Sequence, residues 1–278
     1  MHLLTALLDD GLTPAGVLMP GWDRAAEQAG NLFPVQPPSE HTWTEQLEER
    51  GLSVRRVAPG RLNEIPALAD TWQADMLVSA CFPYRLENET LSGCPQPTYN
   101  VHTSLLPRYR GPAPLFWQFH AGERQTGVTV HRIIDELDAG PVVAQVSTPL
   151  EIGVSGATVE HRLAGACADL FRERLPTLRT GKMPDVVQDE SAATWAPWPK
   201  PKDFCLDSTW TVERAYRFLC GTHDWGQAYV FTERDGGQIP LRGPATQETA
   251  GGEPEYGKGV IELECADGVL LARGVELV

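Results

Sequence analysis

Tyr99-Asn100-Val101-His102-Thr103-Ser104-Leu105-Leu106-Pro107-Arg108-Tyr109-Arg110-Gly111 opens as an alternating run and ends in an abrupt break. A strand has a period of two, so Tyr99, Val101 and Thr103 share one face and Asn100, His102 and Ser104 the other. Three polar side chains therefore leave one face at the carboxyl end of a strand, where open α/β sheets bind their ligands. Pro107 and Gly111 then turn the chain. The same residues also suit a polar edge strand running into a loop.

Upstream, apolar runs and helical stretches alternate. Leu3 to Asp10 reads as a helix closed by Gly11, Leu12 to Pro20 as a buried strand, and Trp22 to Pro38 as irregular. Thr44 to Arg50 suits a helix, Leu52 to Val57 a strand, Ile65 to Trp72 a helix, and Ala74 to Cys81 a strand buried in a parallel sheet. Downstream come helix Leu115 to Ala121, strand Thr126 to Ile134, an acidic turn, strand Val142 to Val146, and an amphipathic helix from Gly156 to Leu175. This order predicts an α/β domain with a doubly wound, mostly parallel sheet. Gly181 to Pro184 ends it, and the proline-rich run Trp195 to Lys202 reads as a connector whose Trp195 and Trp198 pin two domains together. Beyond lie a helix from Val212 to Gly221 and strand-like pieces at 227–231, 260–265 and 269–272, a small β-rich unit of barrel type. The expected division is 1–190, a linker at 191–202, and 203–278.

Composition narrows the function. The chain has 278 residues and a formal net charge of -14, which argues against a broad nucleic-acid surface. No stretch reaches the roughly 18 apolar residues of a membrane helix. The apolar start lacks a basic leader and meets Asp9-Asp10 at once, so neither a signal peptide nor an anchor is expected. The six cysteines are scattered without metal-ligand spacing, which points to the cytoplasm and to no metal. His131 and the other histidines outside the motif carry no pattern that singles them out.

Asn100, His102 and Asp138 are the informative trio. An amide can donate to an oxyanion, an imidazole can trade protons near neutral pH, and a carboxylate on a tight turn can orient that imidazole. No nucleophile elbow and no glycine-rich phosphate loop is present. The trio therefore suits direct transfer between two bound substrates rather than covalent catalysis.

Asn100-Val101-His102 with Ser104-Leu105-Leu106-Pro107, followed by Leu137-Asp138-Ala139-Gly140, closely resembles the signature of the 10-formyltetrahydrofolate-dependent formyltransferases. The similarity continues through Gly122-Glu123 and Thr126-Gly127-Val128-Thr129 into the helix near Leu163 to Leu175. In the C-terminal part, Gly257 to Ile261 and Ala266 to Leu270 resemble the methionyl-tRNA-directed group, whose C-terminal domain is OB-like. The resemblance implies that an acceptor amine attacks the formyl carbon of 10-formyltetrahydrofolate. His102 and Asn100 would stabilise the oxyanion, while Asp138 holds His102 and relays the proton. It further implies that Phe82, Tyr84, Arg85, Leu86, Ile134, Asp135, Glu136 and Leu137 lie near the folate, and that Ser104, Arg108, Tyr109, Arg110 and Gly111 lie near the acceptor. The plainer roles are core packing for Phe82 and Tyr84 and solvated loop charges for Arg108 and Arg110.

The family begins with a strand and a Gly-Thr-Pro-like loop, whereas this chain begins with a helix. The expectation is an upstream start or an incomplete acceptor pocket. The two-domain layout favours initiator tRNA as acceptor. The acidic charge favours an amino-sugar nucleotide, and a non-catalytic folate- or partner-binding module is the alternative of another class.

Overall fold

A computed structural model describes residues 2–20, 40–241 and 260–273. The stretch Trp22 to Pro38, read above as irregular, lies outside the described residues, as do Gly257 to Gly259. The order is α1 (His2–Asp9), β1 (Val17–Pro20), α2 (Glu40–Glu49), β2 (Val54–Val57), α3 (Ile65–Thr71), β3 (Leu77–Ala80), α4 (Asn88–Gly93) and β4 (Thr98–His102). Helix α5 (Pro114–Ala121), β5 (Gln125–Arg132), β6 (Val142–Pro149) and α6 (Gly156–Arg179) follow. The last part holds β7 (Cys205–Asp207), α7 (Val212–Thr222), β8 (Tyr229–Thr232), β9 (Gln238–Leu241), β10 (Val260–Glu264) and β11 (Val269–Arg273). The α/β class and the small β-rich unit are as the alternation predicts. Helix α4 and strands β7 and β9 are additions, each too short to carry a recognisable period.

Among the described residues, β1 and β2 form a parallel pair, and β3-β4-β5-β6 form a separate four-stranded sheet. Within it β3 and β4 run parallel, while β4/β5 and β5/β6 are antiparallel. An antiparallel pair needs only a tight connection. The acidic turn at 133–141 therefore returns the chain directly from β5 to β6 and holds Asp138 beside the end of β4. In the last part β7-β8-β9 form one sheet and β10-β11 a hairpin.

One face of the four-stranded sheet packs on α6. Tyr99, Val101, Val128, Val130 and Val143 meet the helix stripe Val159, Leu163, Cys167 and Phe171, all buried. Each such side chain contributes about 1.5–3 kcal/mol through its burial. The helix starts where Ser155 accepts from the Thr158 N–H at 3.2 Å. Tyr99 adds a hydrogen bond from its hydroxyl to the Leu178 carbonyl, 3.1 Å away.

The same core runs on into the C-terminal unit. The Phe116 ring of α5 lies 5.1 Å from Phe204, 5.5 Å from Phe218 and 5.2 Å from Trp225. The hydrophobic interior is thus continuous across residues 191–202.

The expectation that Gly181 to Pro184 ends the catalytic part needs correcting. Past Pro184 the chain returns along the sheet: Val186 forms a bridge with Val142, and Trp195 with Arg110. Ala196 donates to the Arg110 carbonyl at 2.6 Å and accepts from the Ala113 N–H at 3.1 Å. Residues 186–196 are a strap hydrogen-bonded along the loop that follows β4. Trp195 does not pin two domains, since its side chain is 54% exposed; Trp198 does pack against the core.

Candidate active site

Strand β4 presents Asn100 and His102 on the face opposite Tyr99 and Val101, as the alternation requires. Its register with β5 sets Asn100 opposite His131 and His102 opposite Thr129. The Thr129 hydroxyl donates to the Ser104 carbonyl at 2.6 Å and accepts from the Leu106 N–H at 3.2 Å. It so fixes the loop that the cis Leu106–Pro107 peptide belongs to. Ser104 does not project with the other two. It is fully buried and its hydroxyl donates to the Arg108 carbonyl at 2.7 Å, so it holds the turn rather than facing an acceptor.

Asp138 is the hub. Its carboxylate is buried, with Oδ2 accepting from the Gly111 N–H at 2.8 Å and Oδ1 from the Asn100 amide at 3.1 Å. Two imidazoles flank it, His102 Nδ1 at 3.6 Å from Oδ2 and His131 Nε2 at 3.5 Å from Oδ1. Burial alone would raise this carboxyl. The His131 hydrogen bond, the His102 imidazole and the Gly111 N–H outweigh it and hold Asp138 below the ordinary carboxylate value. Burial acts oppositely on His102 and is its largest influence. It lowers that pKa against the pull of Asp138 and the Tyr109 carbonyl, and His131 adds to the lowering. His102 Nε2 lies 2.7 Å from the Tyr109 carbonyl, which can only accept, so the ring hydrogen sits there and Nδ1 offers its lone pair toward Asp138. A neutral imidazole beside an ionised carboxylate is set to take up one proton between them.

Asn100 Nδ2 donates to Asp138 Oδ1 at 3.1 Å and lies 3.1 Å from His131 Nε2. His131, which no sequence pattern singled out, belongs to the site. The missing signal is its register with Asn100, which a single strand does not display.

A further layer supports the Asp138 turn. Asp138 has a left-handed φ of 54°, a conformation that costs a non-glycine residue and persists only where its surroundings hold it. Gln188 of the strap donates to the Asp138 carbonyl at 2.8 Å and to the Gly140 carbonyl at 2.7 Å. Its own oxygen accepts from Arg110 at 2.9 and 3.1 Å, and Arg110 also reaches Glu190 at 2.6 and 2.9 Å. Arg110 is therefore neither a solvated loop charge nor open to an acceptor: it is buried, with its guanidinium engaged by the strap. Gly111 has φ 115°, and a Cβ there would come within 2.8 Å of the Ala196 carbonyl. At Gly140 a Cβ would fall 1.8 Å from the Arg132 carbonyl.

The remaining expected residues form the rim. Arg108 is exposed and pairs with Glu123, and the Tyr109 hydroxyl donates to the same carboxylate at 2.6 Å. Across the site, Arg85 bonds Asp135 at 2.6 Å and ties the loop after β3 to the acidic turn. Phe82 and Tyr84 meet edge to face at 5.3 Å. Leu86 is buried with Val57, Ile65 and Leu91, and Phe82 packs on that cluster. Ile134 and Leu137 are 41% and 43% exposed, apolar side chains at the surface of an acidic turn whose Glu136 faces water. The turn thus presents two aliphatic groups and the Glu136 carboxylate to solvent. Among the described residues no group of His, Cys, Asp and Glu is placed to hold a metal ion.

Residues 35–175 match the sequence model of a family described as formyl transferase. The methionyl-tRNA formyltransferase of Bacillus velezensis is 28% identical over 272 residues, 98% of this chain and 82% of that protein. That of Bacillus pumilus is 32% identical over 276 residues, again 98% and 82%. In fold the chain is similar to WlaRD, a sugar 3N-formyl transferase solved in the presence of dTDP and 5-N-formyl-THF. The TM-score is 0.61 at 14% identity, with all of this chain and 94% of that one covered.

Proposed function

Because this chain belongs to the formyl transferase family and is a transferase whose formyl donor is 10-formyltetrahydrofolate, we propose that its acceptor is the amino group of a methionyl-tRNA, in translation initiation. The observation that carries this is the relatives' reach: the match to proteins named for that activity spans 98% of the chain, the β-rich unit included. We place the protein in the cytoplasm, where both substrates are found; no helix among the described residues is long and apolar enough to cross a membrane. We read residues 1–190 as the transfer domain and 203–278 as the smaller one, joined at 191–202, whose first residues, to Ala196, complete the strap on the transfer domain.

The donor supplies a formyl group on a nitrogen that must leave with a proton. Asp138 and His102 supply the proton path. The attacking amine becomes acidic as its bond forms, its proton moves to the His102 Nδ1 lone pair beside Asp138, and the imidazolium so formed balances the charge on the formyl oxygen. The proton then passes to the departing nitrogen. Phe82, Tyr84, Arg85 and Leu86, with Ile134, Asp135, Glu136 and Leu137, hold the folate. Arg108, Tyr109 and Gly111 border the acceptor, supported from behind by Ser104 and Arg110.

A second reading has an observation of its own. Around the site Arg85, Arg108, Arg110 and Arg132 are each paired with a carboxylate, Asp135, Glu123, Glu190 and Asp185 respectively, and the net charge is -14. That neutral rim favours a small acceptor such as an amino-sugar nucleotide over a polyanion. Incubation with 10-formyltetrahydrofolate and either initiator methionyl-tRNA or a set of amino-sugar nucleotides decides between them. Formyl-methionyl-tRNA is the expected product, and turnover with the sugars alone overturns the tRNA assignment. Folate binding without turnover on any acceptor would favour a non-catalytic module.

A further inference from the structure

Of the tryptophans whose side chains are described, Trp195 alone is exposed, with 54% of it open to solvent. An indole left in water forgoes one of the largest gains that burial gives any side chain. Its backbone is nonetheless held on both sides. The Thr194 carbonyl accepts from the Arg110 N–H at 2.8 Å, and the Ala196 N–H donates to the Arg110 carbonyl at 2.6 Å. Side chains alternate along such an extended, bridged stretch. Ala196 is fully buried, so Trp195 is directed outward.

The ring also lies close to the reacting groups. A Cβ on Gly111 would stand 3.3 Å from it, and the Gly111 N–H is the one that donates to Asp138 Oδ2 at 2.8 Å. With standard backbone dimensions these contacts keep the near edge of the indole within roughly 9 Å of that carboxylate. Gly111 belongs to the loop after β4, which borders the acceptor. The folate side is built from the loop after β3, where Phe82 and Tyr84 pair with each other. The cations of the same β4 loop are already neutralised, Arg108 by Glu123 and Arg110 by Glu190. Phosphate attraction, the usual source of affinity for a nucleic acid, is therefore weak here. What remains to grip a nucleotide is its base, and every base has a face that an aromatic ring can stack on.

We propose that Trp195 determines acceptor specificity: its indole stacks on the adenine of the nucleoside to which the methionyl group is esterified. The proposal rests on the methionyl-tRNA reading of the site. Reach selects this base. In an aminoacyl nucleoside only the ribose and the ester separate the base from the reacting amine. In an amino-sugar nucleotide a pyrophosphate intervenes as well and carries the base past the indole.

Two small esters test this on the full chain with 10-formyltetrahydrofolate: 3′-O-methionyl-adenosine and methionine methyl ester, which differ by the nucleoside. The parent should prefer methionyl-adenosine about tenfold or more in kcat/KM, the scale of one base stack. Trp195→Ala should erase that preference by raising the KM for methionyl-adenosine, with kcat and the donor KM little changed. Trp195→Phe should keep most of it, whereas Trp195→Leu, which restores bulk without a π-face, should not. No preference in the parent, an undiminished preference in folded Trp195→Ala, or equal behaviour of the Phe and Leu variants each overturns the stacking role. If Trp195→Ala does not fold, the Phe and Leu variants decide alone. Tryptophan emission reads the same contact without turnover. Methionyl-adenosine should quench the parent more than Trp195→Phe, and equal quenching overturns the proposal. Turnover with amino-sugar nucleotides alone would remove the methionyl-tRNA reading, and the quenching difference then decides the stack by itself.

Discussion

At the scale of the residue, the site is a single buried carboxylate whose surroundings favour its charged form. Asp138 accepts from a backbone N–H and an amide and sits between two rings. Asp138→Asn keeps the shape and removes the charge. We expect kcat to fall about a hundredfold or more while circular dichroism shows an intact fold, and normal turnover would remove Asp138 from the proton path. Gly111 is the second sensitive point. Gly111→Ala adds a methyl 2.8 Å from the Ala196 carbonyl at a φ of 115°, a strained conformation costing about 1–3 kcal/mol before any shift of the strap. Both stability and turnover should drop; a thermal midpoint equal to the parent's would show that the strap yields freely.

At the scale of the element, the strap at 186–196 matters as much as β4. The loop after β4 with its left-handed Tyr109, and the turn beside it with left-handed Asp138, need hydrogen bonds from outside themselves. Thr194, Ala196 and Gln188 provide them. Gln188→Ala leaves two carbonyls and part of Arg110 without partners, a loss of about 1–3 kcal/mol for each buried group stranded. Because the turn then relaxes around Asp138, kcat should fall with little change in donor KM. A variant that loses stability but keeps kcat would make Gln188 a purely structural brace.

At the scale of the whole molecule, the aromatic cluster joins what the chain pattern divides. Phe116 is buried against Phe204, Phe218 and Trp225, so Phe116→Ala should cost about 3–5 kcal/mol. Both parts should then melt in one transition, and two separated transitions would show that the halves fold independently. The pH dependence of stability has a sign that the same region sets. His120 lies among Trp117, Trp210 and Phe218, and burial first, then the Arg214 charge, lowers its pKa to about 4. The unfolded chain protonates this histidine near pH 6.5, while the folded chain does so only near 4. Stability contributed by the uncharged ring is therefore full above about pH 6.5 and falls as the pH drops toward 4. Asp138, with its pKa lowered, acts further down: its contribution is present above the ordinary carboxylate pKa and is lost as pH falls through its folded value. Chemical denaturation between pH 7 and 4 should show a shallower decline in His120→Phe than in the parent, and identical slopes would refute the assignment to His120.

Much of the fold and the central trio was legible in the chain because both depend on near neighbours. The alternation from Tyr99 to His102, the break at Pro107 and the Leu137-Asp138-Ala139-Gly140 turn are short-range patterns. Period and turn chemistry act over a few residues, so the sequence by itself determined the α/β class, the strand end and the polar residues gathered there. What only the tertiary structure decided lies across long separations. His131 meets Asn100 through antiparallel register, Gln188 reaches Asp138 through the returning strap, and Arg110 is turned from the acceptor toward Gln188 and Glu190. Ser104 likewise leaves the row of site residues because Thr129 holds the backbone of its turn. Nothing local distinguishes a histidine that faces a carboxylate from one that packs in a core, because burial and pairing are properties of the folded surroundings.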